Sequence, residues 1–268
     1  MDSISPRHAQ DVRDDFLSLV SERGLPPDII SRAVILSHGA LWKHRMICES
    51  GSHQEDGHAA IESEMLTHVL ALHDALLQVG IAQLAEAPPE ENELAQRITA
   101  IFRRTLPALR IASKWLKANY QYVSQAYDAE TVRANKMSVG SSTRKRPDSH
   151  TTELATAISL CWRKYSQFSA DLRSMFPPDR LPRLNATLEE DVDTKGFLPL
   201  TKATVEDNVA GRRMDRVIDG TGDTNNANST AEGQMHPNEE QLMRIADLLD
   251  DAQTLMEITE LEASSFTV

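Results

Sequence analysis

Apolar residues recur at steps of three and four along most of this chain, and this spacing constrains the fold more than any other feature. From Ile61 to Val79 the apolar positions follow steps of 4, 4, 3, 4 and 3 residues, which places them on one face of a helix. Strand-like alternation is not evident. The sequence therefore predicts an all-α fold of antiparallel long helical hairpins, forming a superhelix or bundle. The predicted helices are 8–23, 27–48, 58–86, 90–126, 152–176 and one beginning at Pro237.

Breaks between these helices give the predicted domain organisation. Pro107 lacks a backbone N–H, so a kink or break is expected there inside 90–126. A polar linker is predicted at about 134–152, and the acidic C-terminal part contains irregular segments. The predicted parts are an N-terminal helix (1–24), a helical-hairpin domain (25–200), a mostly disordered loop (201–234) and a C-terminal helix packing on the same domain (235–258).

Composition excludes several protein classes. The chain has 268 residues and only two cysteines, Cys48 and Cys161, too few for a disulfide framework and typical of the nucleus or cytoplasm. The sequence has no run of about 18 apolar residues, so no membrane span is expected. Its first residues lack the apolar region of a signal peptide. Secreted mini-proteins and integral membrane proteins are therefore not expected.

Positive charge is concentrated in a chain that is acidic overall. The formal net charge is −12, yet residues 97–146 carry 11 basic and two acidic residues. On the predicted helix, basic residues spaced by 7, 4 and 3 lie on one face, opposite the leucines, and form the basic stripe Arg103, Arg110, Lys114 and Lys117, flanked by Arg104. With the nearby aromatics Trp115, Tyr120 and Tyr122, the stripe suggests binding of single-stranded RNA or DNA through phosphates and stacked bases. The alternative is a solvated helix face whose aromatic residues lie in the core.

A second basic run lies in the polar linker. Arg144, Lys145 and Arg146 precede Pro147. Such a run is consistent with a nuclear import signal or a second phosphate contact. A solvated loop is the equally compatible alternative.

Metal, cofactor and catalytic signals are weak or missing. His44 and Cys48 are four residues apart on a predicted helix, but no second pair with ligand spacing completes a four-ligand zinc site. The remaining histidines considered share no common face: His53, His58, His68 and His73. Phosphate-binding glycine loops, nucleophile elbows and zinc-protease motifs are not present. We therefore expect a non-enzymatic protein without a metal or cofactor.

Three segments, taken in order, carry a family resemblance. They are Leu106–Asn119, Leu188–Leu200 and Met235–Ala252. Together they resemble the DNA/RNA-binding domain of the Est-one-like telomerase-activating proteins and their SMG relatives in nonsense-mediated mRNA decay, in a fungal style and over about 25–258.

The resemblance implies roles for individual positions. Arg110, Lys114 and Lys117 are the matching residues that could meet a nucleic-acid backbone. Gly196 would allow a tight turn, and three apolar residues would fill a groove, namely Phe197, Leu198 and Leu200. Family members usually carry an N-terminal 14-3-3-like domain, which we expect this chain to lack.

The expected function follows from the stripe and the resemblance together. We expect a nucleic-acid-associated adaptor of the nucleus or cytoplasm that works with mRNA-decay or telomerase proteins and has no membrane partner. The alternative is a helical protein–protein interaction scaffold without direct nucleic-acid binding.

Overall fold

The computed structural model describes residues 6–50, 55–87, 93–139, 152–183, 186–200 and 236–265. Every regular element in these ranges is helical, which confirms the all-α prediction. Short 3₁₀ turns occur at Leu94–Arg97, Pro178–Arg180 and Leu198–Leu200. The α-helices are α1 (Pro6–Ser21), α2 (Pro27–Ser50), α3 (Glu55–Glu86), α4 (Ala100–Ala118), α5 (Tyr120–Val139), α6 (Glu153–Met175), α7 (Glu189–Asp193) and α8 (Pro237–Ser265).

Helix α3 is the centre of the bundle. It packs against α1, α2, α4 and most extensively α6. Its approach to α6 is close at Gly80, because a Cβ there would lie 2.7 Å from the ring of Phe168. Within α3, Gly57–Glu86 is long and apolar enough to cross a membrane by length and composition alone, but 61% of its apolar window is buried in the protein. That degree of burial is typical of a central core helix.

Helix α4 continues through Pro107, so of the predicted kink or break the break is wrong. Leu106 and Ala108 on either side of the proline are fully buried, and this packing compensates for the hydrogen bond that Pro107 cannot make. The break lies instead at Asn119, whose side-chain amide donates to the carbonyl oxygens of Trp115 and Pro199, each at 3.0 Å.

The described segment 186–200, which precedes α8 in the chain, is partly helical. Helix α7 ends at Asp193, and Gly196 has φ +77°, so the tight turn expected there is confirmed. Phe197 packs against α2 beside Gly39, and Leu200 packs against the core. Leu198, expected to fill a groove with them, is exposed.

Several predicted boundaries were wrong. The helix predicted to begin at residue 90 begins at Ala100, after the 3₁₀ turn Leu94–Arg97. Helix α5 continues to Val139, so the start of the predicted linker 134–152 is helical. Helix α3 begins at Glu55 rather than 58. The start of α8 at Pro237 agrees with the prediction. The predicted disordered loop 201–234 lies outside the described residues.

Candidate nucleic-acid interface

Helix α4 carries the predicted basic stripe and is fixed at both ends. The Thr99 hydroxyl accepts a hydrogen bond from the backbone N–H of Phe102 at 3.1 Å, which satisfies one of the free donors of the first turn. The helix packs on α2 and α3 on one side and on α8 on another. The stripe therefore faces α8 instead of open solvent.

Arg110 is enclosed by carboxylates. Only 1% of the residue is exposed. Its guanidinium donates to Asp247 through Nε, to Glu190 through Nη1 at 3.2 Å and to Asp191 through Nη2 at 2.9 Å. Burial opposes the charge, but these carboxylates outweigh it and raise the pKa of Arg110. Acidic side chains of the protein therefore already occupy the donors that the prediction assigned to a phosphate.

The two lysines of the stripe are partly accessible and paired. Lys114 Nζ lies 2.7 Å from Asp247 Oδ2, and Lys117 forms an ion pair with Asp251. Their side chains are 26% and 30% exposed, whereas that of Asp251 is almost completely buried. A phosphate approaching either lysine would compete with a carboxylate of α8.

The two aspartates of α8 differ in their titration. Burial disfavours ionisation of Asp247, but the charges of Arg110 and Lys114 outweigh burial and lower its pKa. At Asp251 burial dominates the attraction of Lys114 and Lys117, and the pKa is raised. The neighbouring cations thus lower the pKa of Asp247, whereas burial raises the pKa of Asp251.

A second buried arginine completes the cluster. Arg244 donates to both carboxylate oxygens of Glu190, each at 2.8 Å, and to Glu240 at 2.7 Å. Glu190 is itself buried and shared by Arg110 and Arg244. We call the following residues the α4–α8 charge network: Arg110, Lys114, Lys117, Glu190, Asp191, Arg244, Asp247 and Asp251. The network connects α4 to α7 and α8 through ion pairs.

Arg103 and Arg104 have neutral partners. Arg103 donates to the side-chain oxygen of Asn238 at 3.0 Å, and Arg104 to the carbonyl oxygen of Leu25 at 2.6 Å. Both residues are half-buried. Because neither of these oxygens carries a full charge, the positive charge of each guanidinium remains available to a phosphate.

The aromatic residues near the stripe are core or intramolecular contacts. Trp115 is buried and stacks on His38, with ring centroids 4.9 Å apart. The hydroxyl of Tyr122 donates to Glu62 at 2.8 Å, and the guanidinium of Arg45 lies 3.8 Å from its ring centroid. These two rings are therefore not available to stack on bases. This agrees with the alternative prediction that the aromatic residues near the stripe pack within the protein.

The family assignment rests on a match to known domains. The family model of the Est1 DNA/RNA binding domain matches residues 44–204, more than half of the chain. The chain belongs to the Est1 DNA/RNA binding domain family. This confirms the resemblance and supports a nucleic-acid-associated role, and the family is not a known class of enzymes. No curated protein and no solved structure matches the chain.

Only part of the α4–α8 charge network lies within the residues that match the family. The Est1 domain match includes all of α4 together with Glu190 and Asp191, whereas α8 lies beyond its last residue. The carboxylates Asp247 and Asp251 thus come from outside the matched region. The predicted basic run Arg144, Lys145 and Arg146 lies within the match but outside the described residues.

Two histidine groups were missed at the sequence level. His38 and His73 are fully buried and in contact through their Nε2 atoms at 2.8 Å. Burial lowers the pKa of both, that of His73 to about 3. His58 lies beside His44 and Cys48. The contacts join α2 to α3, and helical spacing within either helix alone cannot show them.

Proposed function

We propose that this chain is a non-enzymatic, nucleic-acid-associated adaptor that works with telomerase or mRNA-decay proteins in the nucleus or cytoplasm. The observation that carries the proposal is the match to the Est1 DNA/RNA binding domain over residues 44–204. Single-stranded RNA or DNA is the proposed ligand, bound through phosphates with little sequence preference.

Arg103 and Arg104 are the residues to which we assign the phosphate contact on α4. Both have neutral partners and retain their charge. Lys114 and Lys117 contribute more weakly because a bound phosphate must compete with Asp247 and Asp251. Arg110 has a structural role.

The proposal is tested by titrating fluorescent single-stranded RNA and DNA with the chain at rising salt. The test variant is Arg103→Gln/Arg104→Gln. The control, Arg32→Gln/Arg163→Gln, removes the same charge at two exposed positions on α2 and α6. Loss of two phosphate contacts should reduce the slope of log K against log salt by about 1.4, from about 0.7 per contact on single strands.

Three results distinguish the assignments. A smaller slope in the test variant alone supports contact at Arg103 and Arg104. An equal change in test and control variants contradicts this location. Absence of binding by the folded wild-type chain at low salt contradicts the nucleic-acid proposal itself.

A second candidate function, a protein–protein scaffold, is favoured by an apolar groove. The groove has a volume of about 790 Å³ and is lined by residues of α1, α2, α3, α5 and α6. Leu36 at its edge is 72% exposed. Three acidic residues line it, namely Glu64, Glu130 and Glu153, of which Glu130 is buried and paired with Arg133. An apolar floor with acidic edges suits a partner's amphipathic helix with a basic polar face.

A defined peptide tests the scaffold function. The probe is a synthetic helix with leucines at positions i, i+3, i+4 and i+7 and lysines elsewhere, compared with a scrambled peptide of equal composition. Leu36→Asp should weaken binding of the helical probe at least tenfold, whereas Leu198→Asp, which changes another exposed leucine, should not. Equal binding of both peptides contradicts recognition by this groove.

A further inference from the structure

Three metal-binding side chains meet where α2 ends and α3 begins. His44 and Cys48 are one turn apart on α2, and His58 lies in the first turn of α3. One ligand atom from each lies within 4.8 Å of the others. The thiol Sγ of Cys48 is 3.5 Å from His44 Nε2 and 3.3 Å from His58 Nδ1.

These distances match those of a tetrahedral zinc site. With Zn–S of about 2.3 Å and Zn–N of about 2.0–2.1 Å, a sulfur and a nitrogen ligand lie about 3.5 Å apart. The two observed separations differ from this value by at most about 0.2 Å. The two Cys48 pairs therefore need only small adjustments to bind an ion, and the two histidine nitrogens, which lie within 4.8 Å of each other, would move closer together on binding. His44 Nε2, which also lies 3.2 Å from the carbonyl oxygen of His58, would exchange that contact for the metal.

The chemistry and accessibility of the group also suit a transition metal. Two imidazoles and a thiolate favour zinc or copper over calcium and magnesium, which prefer oxygen ligands. His44 and Cys48 are half-buried and His58 is exposed, so an ion can enter from solvent. The adjacent cation Arg45 is engaged by Tyr122 and Glu62.

We propose that His44, Cys48 and His58 form a zinc site that fastens α2 to α3, with water in the fourth coordination position. Zinc binds the thiolate, so the Cys48 thiol releases its proton to solvent when the Zn–S bond forms. The site is independent of α4, and its failure would leave the proposed nucleic-acid binding unaffected. Without metal, the same contacts would be hydrogen bonds only, and the experiment separates these two cases.

Cobalt is the spectroscopic probe, used on the untagged chain with a reductant that contains no thiol. We expect one Co²⁺ per chain with a thiolate-to-cobalt charge-transfer band, which Zn²⁺ removes by competition. Cys48→Ser should abolish the band, and His58→Asn should weaken binding at least tenfold. The control His236→Asn changes an exposed histidine on the N-terminal side of α8 and should bind normally. Cys161 remains in every variant.

Thermal unfolding provides the second readout. At Zn²⁺ about 100-fold above its Kd, the Tm of the wild-type chain should rise by about 5–10 °C. In the absence of metal, both variants should melt within about 2 °C of wild type, because His58 is exposed and serine is close to cysteine in size. Zinc should not raise the Tm of Cys48→Ser. A charge-transfer band that persists in Cys48→Ser, or absence of Co²⁺ and Zn²⁺ binding by the wild type, overturns the proposal.

Discussion

Replacing Arg110 by methionine separates a structural role of the basic stripe from a phosphate-binding role. The change removes a buried cation whose donors contact Glu190, Asp191 and Asp247, while methionine keeps the apolar part of the side chain. Breaking a buried ion pair costs about 3–5 kcal/mol, because the remaining charge stays in the interior. Arg110→Met should therefore destabilise the fold strongly.

The remaining contacts place the cost at the lower end of this range. Glu190 keeps Arg244, and Asp247 keeps Lys114. We therefore expect a loss of about 3 kcal/mol and a Tm lower by roughly 6–12 °C. Urea unfolding followed by circular dichroism measures the free energy. The control Arg32→Met alters an arginine whose side chain is 69% exposed and should change stability by about 0.5 kcal/mol or less.

The double variant Arg110→Met/Asp247→Leu provides a further check. It replaces one ion pair by apolar side chains, so it should recover part of the loss caused by Arg110→Met. The reasoning is refuted if Arg110→Met is as stable as wild type and instead loses salt-sensitive nucleic-acid binding. Arg110 would then be a ligand-binding residue.

Two further changes test the core. The unfolded chain protonates His38 and His73 near pH 6.5, whereas burial keeps both neutral in the folded state. The free energy of unfolding should therefore fall by about 2 kcal/mol per histidine between pH 7 and 5. Urea unfolding at the two pH values measures this loss. The double variant His38→Leu/His73→Leu should lack the part of the pH dependence that these histidines cause. Gly80→Ala should cost about 1–3 kcal/mol because its Cβ would meet Phe168; an unchanged Tm would contradict the close approach of α3 and α6.

The spacing of apolar residues predicted the helices, because the residues that a helix buries are spaced by three and four within its own sequence. From Val69 to Val79 the predicted positions of α3 are buried, although Ile61 at the start of the run is 45% exposed. The break at Asn119 does not follow from this spacing, because Asn119 donates to Pro199, about 80 residues away. Continuity through Pro107 likewise depends on tertiary packing around Leu106 and Ala108.

The environment of the basic stripe could not be predicted from the stripe itself. Helical spacing correctly placed Arg110, Lys114 and Lys117 on a shared face that meets the same network, but it contained no information on what covers that face. The covering residue Asp247 lies 137 positions from Arg110. His58 became a candidate metal ligand for the same reason, since α3 lies against α2 and brings His58 beside Cys48.

Binding of single-stranded RNA by the wild-type chain at rising salt is the most direct test of the proposed function. With phosphate contacts at Arg103 and Arg104, binding should be measurable at low salt, and log K should fall with log salt with a slope of about −1.4 or steeper. A folded chain that does not bind at low salt, or that binds with a slope near zero, would contradict the proposed nucleic-acid association.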